Sequence, residues 1–173
     1  LDGGYILYFR HAERSKWLDS SIYDTLESDV HDKGINGTRF AENEYFGGAT
    51  CLNKRGKIQA KAMKEHLDVI KLPVGYVISS PICRARQTAN AVFGGYQELN
   101  RDLVLKGRYT EDLKVRTKKL KNIFNEFPIK SGTNTVVTGH GGGLTASMFE
   151  KPKFGNKLTI PLDLKQGGFL VIS

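Results

Sequence analysis

The chain has 173 residues, 39% of them hydrophobic and 25% charged, proportions that fit one globular domain with a sizeable core. No apolar run is long enough to cross a bilayer as a helix, and no repeat or low-complexity tract interrupts the chain. Lys and Arg outnumber Asp and Glu by 26 − 18 = +8. Such a balance attracts nucleic acid, anionic membrane or anionic small substrates, but much of it lies along KVRTKKLKNIF, Lys114–Phe124, where it reads as the solvated face of a helix.

In chain order, Gly4–Phe9 reads as a strand, near-continuously apolar as strands covered on both faces are. From Ala12 to Thr50 the chain is long and polar, with Gly34, Gly37, Gly47 and Gly48 scattered through it. Such loops are often lids or binding loops, and we read it as an excursion over the carboxyl edge of a sheet. A helix follows from Lys54, with Ile58, Ala62, Leu67 and Ile70 near one face. Gly75–Ser80 is the next strand, then a helix from Ile82 that Gly94 and Gly95 stop. Asp102–Leu105 is a weaker strand. Glu111–Phe127 carries Leu113, Leu120, Ile123 and Phe127 on a helical stripe that Pro128 closes. Asn134–Gly139 is a strand, a short helix starts at about Leu144, and Gly167–Ser173 is the last strand. This alternation predicts a single α/β domain over residues 1–173, a three-layer sandwich with helices on both faces of a mostly parallel sheet.

Three of these strands end in chemically loaded turns. The first ends in Arg10-His11, the second in Ser79-Ser80-Pro81 with Arg84 in the following first turn, and the third in His140 with three glycines after it. In a parallel sheet those carboxyl ends share one edge, where open α/β sheets bind ligands. Two imidazoles, two guanidiniums and a glycine-rich turn starting at Gly141 suit a phosphoryl group. Arginine matches phosphate oxygens with a planar fork, and an imidazole can attack phosphorus to form a covalent phosphohistidine. The HGGG turn lacks the lysine and hydroxyl residue of a P-loop. His11 and His140 have no cysteine or close carboxylate pattern that would make them a metal site. His31 and His66 look incidental, and Tyr5 and Tyr8 read as packing residues.

FRHAE (Phe9–Glu13), LNKRGKIQA (Leu52–Ala60), SSPICRARQTA (Ser79–Ala89) and TGHGG (Thr138–Gly142) resemble, in order, the four motifs of the histidine phosphatase superfamily, phosphoglycerate-mutase-like branch. The resemblance spans residues 9 to 142 and is nearest to its small phosphohistidine phosphatase-like members. It implies a phosphoglycerate mutase-like fold, no metal and no other cofactor. It implies that His11 is the nucleophile, that Arg10 and Arg84 clamp the phosphoryl group, and that His140 contacts it. The activity implied is metal-independent phosphomonoester hydrolysis of the histidine acid phosphatase type, on a small phosphorylated substrate or a phosphoprotein.

The proton donor to the leaving group is less clearly marked. In mutase-like members a glutamate supplies it from the loop after the Arg84-type helix, which makes Glu111 the first candidate, Asp112 the second and Glu13, beside the nucleophile, the third. A Thr-Glu-Asp run opening a helix is equally an ordinary N-terminal signal.

A mutase is the rival enzyme, but SKWLDSSIYDTLESDVHDKG, Ser15–Gly34, does not resemble the mutase continuation after the nucleophile. A non-catalytic phosphate-ligand binder is the rival of another class, and both histidines and both arginines speak against it. No aromatic-basic interleaving supports a nucleic-acid binder, and neither a membrane partner nor an oligomeric state is indicated. Cys51 and Cys83 read as two unlinked thiols, since two cysteines make no disulfide framework; a bridge near the site stays open for an exported protein. The opening LDGG suits a trimmed chain or a removed signal peptide, so the cytoplasm and the periplasm or exterior are both compatible.

Overall fold

A strand that is apolar on both faces must be covered on both, and β1 (Ile6–Arg10) is. Its alternating side chains divide between two cores. Ile6 and Tyr8 join Ile78, Val137, Leu120, Phe124 and Phe127, while Leu7 and Phe9 join Val77, Val136 and Ala89. The computed structural model describes residues 3–16, 23, 44–104, 113–141 and 164–172.

Among these residues the elements after β1 are α1 (Glu44–Thr50), α2 (Lys54–Val69), β2 (Val74–Ser79), α3 (Cys83–Phe93), β3 (Glu98–Leu99), α4 (Leu113–Glu126), β4 (Asn134–Gly139) and β5 (Phe169–Ile172). The sheet runs β3-β2-β4-β1-β5. All pairings are parallel except β1 with β5. Phe124 and Phe127, from α4 and its end, cover one face; Met63 and Leu67 of α2 and Ala89 of α3 cover the other. The three-layer, mostly parallel α/β plan is therefore present. Because β4 enters late between β1 and β2, the three loaded strand ends become neighbours.

Two sequence expectations are corrected. The buried stripe of α2 is not Ile58, Ala62 and Ile70: Ile58 and Ile70 are 70% and 64% exposed, and Ala62 is exposed too. The helix instead packs through Gly56, Ala60, Met63 and Leu67. A side chain at Gly56 would place Cβ 1.9 Å from the Glu13 carbonyl oxygen, so the smallest residues face the exit of β1 and the stripe turns with them. Asp102–Leu105 is not a strand either. Residues Arg101–Leu103 form a 3₁₀ turn, because the Asn100 side chain accepts from the Asp102 N–H at 3.0 Å and bends the chain; the edge strand is Glu98–Leu99. On α4 the expected stripe is present where it is described: Leu120 and, just past the helix, Phe127 are buried, Ile123 packs against the same core, and Phe124 joins them.

The end of the polar excursion, Glu44–Thr50, is helical. The remainder from Trp17 to Asn43, apart from Tyr23, lies outside the described residues, as does the short helix expected from Leu144.

Candidate active site

Register sets the site. Arg10 is level with Gly139 and Ser79 with Thr138, and the ladder continues one residue further: the His11 N–H donates to Gly139 O and the Ser80 N–H to Thr138 O, both at 2.9 Å. His11, Ser80 and His140 therefore leave the sheet at one height. The two imidazoles lie edge to face with centroids 5.3 Å apart, and both are buried together with Arg84.

Hydrogen bonding assigns each imidazole a tautomer. A carbonyl can only accept, so His11 Nδ1, 2.7 Å from Ala12 O, carries the proton and donates. The Nε2 lone pair is left for chemistry. Burial is the main cause pushing the His11 pKa well below its ordinary value of 6.5, and the charge of Arg84 comes next; the Ala12 carbonyl pulls upward, and Arg10 and Arg14 add smaller downward pushes. His11 is thus neutral at neutral pH and stays so into the acid range.

A stability consequence follows. Between its lowered folded value and 6.5 the unfolded chain binds the His11 proton and the folded chain does not. Stability is then expected to fall as pH drops below that value, by no more than about 1.4 kcal/mol per pH unit from this residue. Denaturant melts from pH 7 to pH 5 check it, and His11→Asn should flatten that part of the profile.

His140 is held from three sides. The Arg84 guanidinium only donates, so Nη2, 3.3 Å from His140 Nδ1, requires the bare nitrogen there. Nε2–H then donates to Ser80 Oγ at 3.0 Å. Tyr8, expected to be a packing residue, does more. Its ring packs on Phe124, and its hydroxyl accepts from the His140 N–H at 2.8 Å and donates to His140 O at 2.9 Å. Position 139 must be glycine for this, since a Cβ there would come within 2.3 Å of that hydroxyl. Tyr8→Phe leaves a buried N–H unanswered and is expected to cost about 1–3 kcal/mol of stability, read from the shift of a urea midpoint at constant m-value.

Arg84 stands in the first turn of α3, with Nη1 reaching the Thr50 carbonyl at 3.4 Å. The helix start is fixed from several directions: Thr88 Oγ1 donates to Arg84 O and accepts from the Ala12 N–H, and the buried Arg86 donates from Nε to Pro81 O. Cys51 and Cys83 are joined in a disulfide, which corrects the reading as unlinked thiols. The bridge ties the residue after Thr50 to the residue before Arg84. Closing a loop of 32 residues contributes about 3–4 kcal/mol in the chain-entropy picture. Sequence alone could not show it, because the two cysteines meet only where the end of α1 and the segment after it pack on α3.

Of the other expected residues, Arg10 donates from Nη1 to Leu164 O, and Gly141 lies against that side chain, where a Cβ would be 2.8 Å from Arg10 Cδ. Glu13 is engaged elsewhere: Oε1 accepts from Asn53 Nδ2 at 3.0 Å and Oε2 is 3.4 Å from Arg55 Nη2. Glu111 and Asp112 lie outside the described residues. His66 sits on the exposed side of α2, away from the site elements; His31 is outside the described residues. Sequence reasoning missed the second role of Tyr8, the Thr50 carbonyl and Arg14, and gave Ser80 no more than a place in the loaded turn after β2. Only Arg14, close after His11 in a dense run of charge, carried a signal there.

Residues 41–114 match the family model of the histidine phosphatase superfamily, branch 1. The matched segment holds the second and third of the four sequence motifs, and the fold brings His11 and His140 to them from outside it. No curated protein matches the sequence. Among solved structures, the ecdysone phosphate phosphatase from Bombix mori in complex with tungstate is 14% identical with a TM-score of 0.53, over 96% of this chain and 88% of that one. TTHB049 from Thermus thermophilus is 16% identical with a TM-score of 0.50, over 83% and 82%. The protein histidine phosphatase SixA complexed with tungstate is 18% identical with a TM-score of 0.47, over 79% and 69%. The first two share their fold with this chain.

Proposed function

We propose that the protein hydrolyses phosphomonoesters without metal, through a covalent phosphohistidine on His11, as a histidine acid phosphatase-type phosphomonoesterase. The observation that carries this is the tautomer of His11: Nδ1–H tied to Ala12 O, Nε2 bare, inside a shell formed by Arg84, Arg10 and His140. Nε2 attacks phosphorus, the P–O ester bond breaks, and the leaving oxygen takes a proton from a carboxylic acid, for which Glu111 is the first choice and Asp112 the next. Water, giving its proton to the carboxylate left by the first step, then attacks the phosphohistidine; the P–N bond breaks, His11 Nε2 is bare again and inorganic phosphate leaves. Arg10, Arg84 and the backbone at Gly141 would hold the equatorial oxygens, where such transfers gain most. The lowered pKa of His11 keeps the nucleophile bare in acid, which suits the acid-phosphatase type.

In this reading residues 1–173 form one domain whose stretch 12–50 covers the site, and the substrate is a small phosphorylated compound or a phosphoprotein. The Cys51–Cys83 bridge favours an oxidising compartment, the periplasm or exterior, over the cytoplasm.

The test is hydrolysis of an aryl phosphate with chelator present, combined with rapid quenching. A phosphoryl group that is acid-labile, alkali-stable and mapped to His11 is expected. Turnover only with an added divalent cation, or a folded protein that binds vanadate and turns nothing over, would sink the reading.

A further inference from the structure

A cleft of roughly 560 Å³ opens between the exit of β1 and the segment that enters β5, and the chemistry at His11 leaves it unexplained. Its walls carry Arg10, Arg14, Lys16 and Lys165 against one carboxylate, Glu13. That carboxylate is already matched by Asn53 and Arg55, so among the described residues the lining is strongly cationic.

Both walls are anchored to the reaction centre. Arg10 donates to the carbonyl of Leu164, the residue before Lys165. The Gly167 N–H donates to His11 O at 3.1 Å. Gln59 joins the walls, accepting from the Glu13 N–H at 2.9 Å and donating to Gln166 O at 3.0 Å. The cleft is therefore a fixed feature sharing Arg10 with the phosphoryl site. Lys16 and Lys165, both exposed, line the cleft with Arg10, the residue it shares with the phosphoryl site.

We propose that this cleft is a second anion subsite, which takes a carboxylate or further phosphoryl group borne by the leaving group. The preferred substrates are then phosphomonoesters with an anionic leaving group. This rests on the phosphatase reading and narrows its substrate class. Lysine ammonium groups serve such a subsite as point charges on flexible stems that need no fixed fork, and exposed contacts of this kind are salt-sensitive.

The test compares 3-carboxyphenyl phosphate and 1,3-phenylene bisphosphate with the neutral 3-(hydroxymethyl)phenyl phosphate, in the wild type and in K16Q/K165Q. In the wild type at low salt, kcat/KM for at least one anionic substrate should exceed that of the neutral one about fivefold, the scale of two exposed ion pairs. The ratio should shrink as salt is raised, and the larger of the two ratios names the anion. In the double variant the loss on the anionic substrate should be about fivefold greater than on the neutral one. A wild type that hydrolyses the neutral ester with no preference overturns the subsite and leaves the phosphatase reading intact. A preference that survives in the double variant overturns its assignment to this cleft. A wild type that hydrolyses none of the three overturns the phosphatase reading, and the subsite with it.

Discussion

Replacing His11 with alanine is expected to lower kcat for an aryl phosphate on the order of 10⁴-fold or more, and to abolish the trapped phosphoryl group. The reason lies in what remains. Without Nε2 the two-step displacement is closed, and the surviving route is direct attack by water on a clamped ester. Arg84 and His140 would still stabilise the transferring group, so a residual rate above the uncatalysed one should persist. The fold should survive, because His11 is buried at a strand end where its backbone N–H and carbonyl, not its side chain, complete the sheet. A variant that keeps its denaturant midpoint and loses turnover locates the defect in chemistry. Undiminished turnover would remove His11 from the mechanism.

Arg84→Lys is expected to lower kcat about 10²–10³-fold, the span of one lost preorganised donor, roughly 2.7–4 kcal/mol. Lysine keeps the charge but not the fork. In the present geometry one fork nitrogen faces His140 Nδ1 and another the Thr50 carbonyl, so a single ammonium cannot serve both and also reach phosphate. Arg84→Ala would be worse for stability as well, since it strips the donor from a buried imidazole nitrogen. Steady-state kinetics of both variants, with vanadate inhibition as a measure of anion binding, check this. If Arg84 and His11 serve one step as proposed, the double variant should lose far less than the product of the two single losses. An Arg84→Lys enzyme within a factor of a few of wild type would show that Arg84 only supports His140.

The two arginine-and-histidine pairs could be found in the sequence because chemistry-bearing residues stand immediately after strands, and strand polarity alone predicts which ends share an edge. The same reasoning failed where small residues decide packing. A helical stripe chosen by hydrophobicity put Ile58 and Ile70 inside; the close approach of Gly56 to the Glu13 backbone turned them outward. It also passed over Tyr8, whose alternation with core positions was read correctly. The hydroxyl's second task, holding the His140 backbone, depends on a strand 132 residues away in sequence.

The α/β plan and the sheet edge that gathers His11, Arg84 and His140, with Arg10 beside them at the end of β1, were legible in the residues alone. They follow from periodicity, strand polarity and residue chemistry, which are local properties. Folding in three dimensions was needed to fix which nitrogen of each imidazole is bare, what holds Arg84, whether Cys51 meets Cys83 and where a cationic cleft opens. Each of these depends on a distance between segments far apart in the chain, and such distances are set by how β4 enters between β1 and β2 and how closely α2 can approach them.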